Sequence, residues 1–216
     1  MNARTSESSL RYEAAPASSA SAPRRIGLVG AIASGKSLAA RWFADRGWTV
    51  LDADKEAHAL YAPGTGMCEV VVAEFGDAVR AADGGIDRAR LGGIVFSDPA
   101  RLNALEAIVH PALRDRLIRR IEDAAARDEN IVLEMALLAR WPEMVRRLDL
   151  VLGISAPVPL RLSRLRERNR LSEAEARLRL ERQEPEEVLL SCATDVIVND
   201  GTPEILVAAL RERFPA

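Results

Sequence analysis

The chain of 216 residues is poor in cysteine, histidine and aromatic side chains, with two Cys, two His and 4% Phe, Trp and Tyr. Cys68 and Cys192 have neither metal-ligand spacing nor the density of a disulfide scaffold, so they read as two packed thiols in a reducing compartment. An excess of positive charge is also missing. The net charge of −2 excludes a global attraction for nucleic acid and leaves a small partner, bound at most by a local basic face. Long apolar runs are lacking: Ile131 to Leu133 and Leu150 to Ile154 are far too short to cross a bilayer, so no membrane association is expected. Residues 1–23 nearly lack branched apolar side chains and read as a disordered tail. Glu7 and Glu13 break the acid-poor pattern of a transit peptide, and no apolar signal core is present, which makes cytoplasmic placement the expectation.

What is present, 48% hydrophobic and 29% charged residues, can build a core for one globular unit over 24–214. Five short apolar segments, Arg25 to Val29, Thr49 to Leu51, Ile131 to Leu133, Leu150 to Ile154 and Val196 to Val198, read as strands of a parallel sheet buried on both faces. Helical stretches alternate with them, which predicts an α/β layered fold. Gly35 to Asp45 carries Leu38, Trp42 and Phe43 on one stripe, and Thr202-Pro203 opens a helix to Phe214. The long gap between the second and third strands predicts an inserted helical subdomain over about 60–128. Within it Asp87 caps one helix, and Asp98-Pro99 opens another toward Arg127, disturbed at Pro111. Ser172-Glu173-Ala174-Glu175 is a capping box inside an arginine-rich segment, about 159–190, that suits a mobile lid.

Gly30-Ala31-Ile32-Ala33-Ser34-Gly35-Lys36-Ser37 matches GxxxxGK[ST], with an apolar strand before it and an amphipathic helix after it. In such a loop the backbone N–H groups and the helix N-terminus hold phosphates, the Lys reaches the outer phosphates and the Ser hydroxyl can ligate Mg²⁺. The candidate ATP-binding residues are therefore Ala31 to Leu38. Lys36 and Lys55 are the only lysines among 30 Lys plus Arg, so a compact ammonium has been kept inside this loop where arginine is otherwise used.

Asp52 and Asp54 follow the second strand at the carboxyl edge of the sheet, where ligands of open parallel sheets bind. Either can accept the proton of an attacking hydroxyl or orient Mg²⁺, and Asp54 can equally serve as a helix cap. Glu134 ends the third strand at the same edge. His110 beside Pro111 is a binding group or part of a helix kink. Arg161, Arg164, Arg166, Arg168 and Arg170 are a solvated helix face or, for one or two of them, mobile charge that stabilises transferring phosphate.

With these residues in hand the sequence resembles the dephospho-coenzyme A kinase family from about Ile26 to Leu210. The segments that carry the likeness include Ile26-Gly27-Leu28 into the loop, Leu51-Asp52-Ala53-Asp54, Ala82 to Arg88, Val95 to Pro99, Ile108-Val109-His110-Pro111, and Asp195-Val196-Ile197 before Asn199. The resemblance implies a three-layer α/β/α P-loop kinase fold with a five-stranded parallel sheet. It also implies Mg²⁺-dependent transfer of the ATP γ-phosphoryl group to the 3′-hydroxyl of the ribose of dephospho-coenzyme A, by a monomer or weak homo-oligomer. By the same resemblance Asp54 is the base, Lys36 holds phosphates, Ser37 the metal and Arg168 the transferred charge, while His110 and Arg114 hold the coenzyme A end. The chain departs from the family pattern at Ala31, Ala33 and Leu38 in the loop, at Arg140 where an acid is usual, at Leu189 where a base is usual and at Val198 where an acid is usual. The two alanines are expected to restrict the loop backbone. The rival readings are a P-loop kinase for another small molecule and a nucleotide-binding regulatory protein that has lost transfer.

Overall fold

The computed structural model describes residues 24–215, so the tail expected over 1–23 lies outside the described residues. At its centre five parallel strands, β1 (Arg25–Val29), β2 (Thr49–Asp52), β3 (Ile131–Glu134), β4 (Leu150–Ser155) and β5 (Asp195–Val198), lie in the order β2-β3-β1-β4-β5. The apolar segments of the sequence are these strands, four of them longer by one residue at an end. Their inner residues, such as Leu28, Ile131, Leu133 and Leu152, are wholly buried, each contributing on the order of 2 kcal/mol. At the entry edge Asp149 Oδ2 accepts from the Arg24 and Arg25 amides at 3.0 and 2.9 Å, tying the start of β1 to that of β4.

Strand order decides where chemistry can gather. The chain leaves β1 in the middle of the sheet, goes to one side for β2 and β3, and returns to the other side for β4 and β5. The carboxyl end of β1 is thus the switch point at which loops diverge and a ligand crevice opens. In register, Asp52 lies opposite Glu134, so β2 and β3 deliver two carboxylates to that edge.

One face is covered by α1 (Lys36–Ala44) and α10 (Pro203–Arg213), which bury Phe43, Leu206 and Leu210 against Ile26, Leu28 and Ile154. The other is covered by α2 (Ala53–Leu60) and α5 (Pro99–Ala126), which bury Leu113, Leu117 and Ile121 against Leu51, Leu133 and Val151. The Asp98 side chain caps α5 by accepting from Ala100 N at 2.8 Å, as the Asp98-Pro99 signal predicts. The disturbance expected at Pro111 is mild: α5 runs through it as one helix. Pro111 is exposed, so the carbonyl it leaves without an N–H faces away from the core.

Between β2 and β3, α3 (Gly66–Phe75) and α4 (Arg88–Val95) pack on α5 around a separate small core of Cys68, Val71, Val72, Phe75, Leu91 and Val95. Cys68 is fully buried, as expected of a packed thiol. A short helix α6 (Pro142–Val145) follows β3. After β4 come α7 (Val158–Asn169), α8 (Glu173–Glu181) with the anticipated capping box at Ser172 and Glu175, and α9 (Glu186–Leu189). Among the described residues no helix is long and apolar enough to cross a membrane.

Candidate active site

The phosphate loop leaves β1 through a tight passage. Gly30 has φ +143°, and a Cβ there would stand 2.2 Å from the Ile154 carbonyl oxygen; at Gly35, φ +117°, a Cβ would stand 2.4 Å from Asn199 Nδ2. Both positions demand glycine. Of the two alanines expected to restrict the loop, only Ala33 does so, with φ 60°, a left-handed conformation that costs a non-glycine residue about 1 kcal/mol. Ala31 avoids the left-handed region and is buried. Ser34 is fully buried, its hydroxyl finds no partner, and its amide donates to the Ala31 carbonyl at 3.2 Å, so it shapes the loop from within.

The loop's shape is held by groups far away in sequence. Asn199, buried just beyond β5, donates from Nδ2 to the Ser34 carbonyl at 2.7 Å. Arg164 of α7 in turn donates to Asn199 Oδ1 at 3.2 Å and to the Gly201 carbonyl at 2.8 Å. On the opposite side, the Ile32 amide donates to Gln183 Oε1 at 2.7 Å. Arg140 pairs with Glu184 next to that glutamine, so the arginine that replaces a usual acid forms a contact to the segment carrying Gln183.

Lys36 folds back along the loop, its Nζ donating to the Gly30 and Ala31 carbonyls at 2.7 and 3.1 Å. Two of its three N–H donors are thereby used and one is left for a ligand. Burial pulls its pKa below the ordinary lysine value, the charges of Glu134 and Asp54 oppose that shift, and those of Arg168 and Arg161 add to it. Burial also raises the Glu134 carboxyl, with Lys36 pulling it back down. Ser37 Oγ stands 3.4 Å from Glu134 Oε1.

The two aspartates have separate surroundings. Asp52 caps α2, accepting from Lys55 N at 3.1 Å and pairing with Lys55 Nζ at 2.9 Å. Although burial works to raise its pKa, these bonds and the lysine charge outweigh it and hold the carboxyl below the usual aspartate value. Asp54 lies exposed in the first turn of α2. The capping role open to Asp54 in the sequence therefore belongs to Asp52.

A cavity of about 610 Å³ opens over the loop, lined by Ala31 to Ala33, Gly35 to Leu38, Arg164, Glu167, Arg168, Asn199 and Pro203. All the expected ATP-binding residues except the buried Ser34 meet there, together with Arg168. His110 and Arg114 lie elsewhere, on α5: His110 stacks edge to face on Trp141 with centroids 5.1 Å apart, and Arg114 Nη1 is 3.8 Å from Glu143 Oε1. Among the described residues no cluster of three or more His, Cys, Asp or Glu could enclose a metal alone. Glu134 and the Ser37 hydroxyl, 3.4 Å apart, are oxygen groups that could hold a Mg²⁺ whose shell substrate phosphates complete.

A family model described as dephospho-CoA kinase matches residues 24–204. The chain belongs to the dephospho-CoA kinase family. It is 41% identical over 187 residues to the dephospho-CoA kinase of Moorella thermoacetica, covering 86% of this chain and 88% of that one. It is 40% identical over 176 residues to that of Aromatoleum aromaticum, covering 82% and 85%. Among solved structures, TT1252 from Thermus thermophilus superposes with a TM-score of 0.71 at 34% identity, covering 90% of this chain and 99% of that one. The dephospho-CoA kinase from Campylobacter jejuni superposes with a TM-score of 0.61 at 25% identity, covering 89% and 98%. Membership in a kinase family brings ATP as co-substrate. Two groups that hold the loop of this kinase leave little local mark in the sequence: Asn199, whose part depends on a contact 165 residues away, and Gln183, whose one visible signal is that it is the single glutamine of the chain.

Proposed function

We propose that this chain transfers the γ-phosphoryl group of ATP to the 3′-hydroxyl of the ribose of dephospho-coenzyme A, the last step of coenzyme A synthesis. The reading rests above all on one observation: the glycine-dependent loop, Lys36 and Arg168 share a single cavity at the switch point of a parallel sheet, within reach of the charges of Glu134 and Asp54. The loop amides of Ala33, Gly35, Lys36 and Ser37 and the free Lys36 N–H hold the triphosphate, with α1 directing its N-terminus at the anion. Ser37 and Glu134 would hold Mg²⁺, which when bound neutralises charge on the outer phosphates. Asp54 accepts the proton of the 3′-hydroxyl as the new O–P bond forms, and the bond from the γ-phosphorus to the bridging oxygen breaks, its electron pair leaving with ADP. Arg168, exposed at the end of α7, moves over the transferring group and stabilises its charge. His110 and Arg114 on α5 receive the coenzyme A end of the acceptor, in an inserted subdomain over about 60–128, and the segment of about 159–190 closes as a lid.

ADP release from MgATP should depend on dephospho-coenzyme A and disappear in Lys36→Ala. ATP binding without turnover on that acceptor would favour a binding protein over a kinase, and turnover on other hydroxyl compounds alone would overturn the substrate.

A further inference from the structure

Arg161, on the second turn of α7, is only 8% exposed, yet its Nε has no hydrogen-bond partner and its guanidinium forms no ion pair with any described residue. A guanidinium this largely buried with no anion beside it is costly for a fold to keep. Its surroundings offer no internal remedy. Glu186, whose Oε2 takes the Ser155 hydroxyl at 3.1 Å, keeps its own Oε1 unpartnered and forms no ion pair with Arg161. On the side of the phosphate loop stands Lys36, another largely buried cation, close enough that the charge of Arg161 lowers its pKa. Gly30 brings the loop against the carbonyl of Ile154, just ahead of α7, so the first turns of α7 flank the loop. Arg161 and Arg168 are seven residues apart and share a helix face, with the wholly buried Leu165 between them.

We propose that Arg161 is a second phosphate-binding arginine of the α7 face, one that contacts the outer phosphate oxygens of ATP from beneath while Arg168 approaches from the cavity wall. The proposal rests on the donor-site reading above and assigns the missing anion of Arg161 to the nucleotide. The two arginines then differ in kind: Arg161 is preset and buried, and Arg168 is exposed and mobile.

The test is Arg161→Met in the full chain, followed by thermal melting and by titration with MgATP and with AMP. If a ligand is the missing partner, removing an uncompensated charge leaves the melting temperature of the free protein equal or higher. Affinity for MgATP should then fall by roughly tenfold to a hundredfold, the usual worth of a charge-assisted hydrogen bond, while affinity for AMP stays unchanged. A structural arginine gives another result: MgATP and AMP affinities keep their wild-type ratio, whatever happens to the melting temperature, and that overturns the proposal. Should the methionine variant not fold, Arg161→Lys, which keeps the charge and loses the planar fork, is expected to weaken MgATP binding selectively. Undiminished MgATP binding by the lysine variant would equally refute it. Wild-type protein that fails to bind MgATP at all would remove the donor-site reading and this proposal together.

Discussion

The phosphate loop and the face of α5 that carries His110 and Arg114 are built in contrasting ways. The loop is held by backbone geometry and by buried groups: two obligatory glycines, Lys36 folded onto carbonyls, Asn199 beneath and Gln183 beside it. The α5 face offers side chains, an imidazole stacked on Trp141 and an arginine loosely paired with Glu143. A triphosphate has one shape and one dominant charge, so a rigid cradle suits it. On the proposed reading, the acceptor is met instead by adjustable side chains on a separate helical layer. Damage to the first region should therefore be steep and specific for nucleotide, and damage to the second graded.

The contrast is sharpest at the two aspartates. Asp54→Asn should lower kcat by about a hundredfold to ten-thousandfold, the usual worth of a general base, with ATP affinity intact. Asp52→Ala should instead cost about 1 kcal/mol of stability through loss of the α2 cap. Steady-state kinetics beside thermal melts would separate them, and equal losses of kcat would break the assignment. Next in size, Gly35→Ala forces a Cβ toward Asn199 Nδ2 and should weaken ATP binding roughly tenfold to a hundredfold, with the acceptor KM unmoved. Gln183→Met leaves the Ile32 amide unsatisfied and should raise the KM for ATP by about tenfold; a matching rise for the acceptor would show that the glutamine serves the whole lid.

The smallest effect belongs to the opposite edge of the sheet. Burial works against the charged Asp149, but hydrogen bonds from the Arg25 side chain and from the Arg24 and Arg25 amides outweigh it and hold its carboxyl below the usual aspartate value. A depressed folded-state pKa contributes stability that is present above the unfolded value, near 4, and is lost as pH falls through the folded value. In Asp149→Asn that acid-side slope should flatten by roughly 0.2–1 kcal/mol, read from urea melts between about pH 5 and 2, with no change in ATP affinity.

The strands were legible because a sheet buried on both faces leaves unbroken apolar runs, and the loop because its glycines and lysine are fixed by phosphate chemistry. Caps at Asp87, Asp98 and Ser172 were legible for the same local reason. Whether Asp52 or Asp54 caps α2 was not, since both stand within one turn and only the contact with Lys55 decides. Ala31 and Ala33 looked equivalent in the sequence, yet one occupies an ordinary conformation and the other a left-handed one. The parts played by Gln183 and Asn199 were illegible because each acts through a partner in the first forty residues, a distance no local pattern spans.

That separation has a consequence for the chain as it is made. The phosphate loop leaves the ribosome well ahead of its two anchors, which lie 151 and 165 residues further on. A nascent chain carries the whole motif long before it can hold a nucleotide in it. A well-shaped phosphate loop thus waits on the segments that carry Gln183 and Asn199.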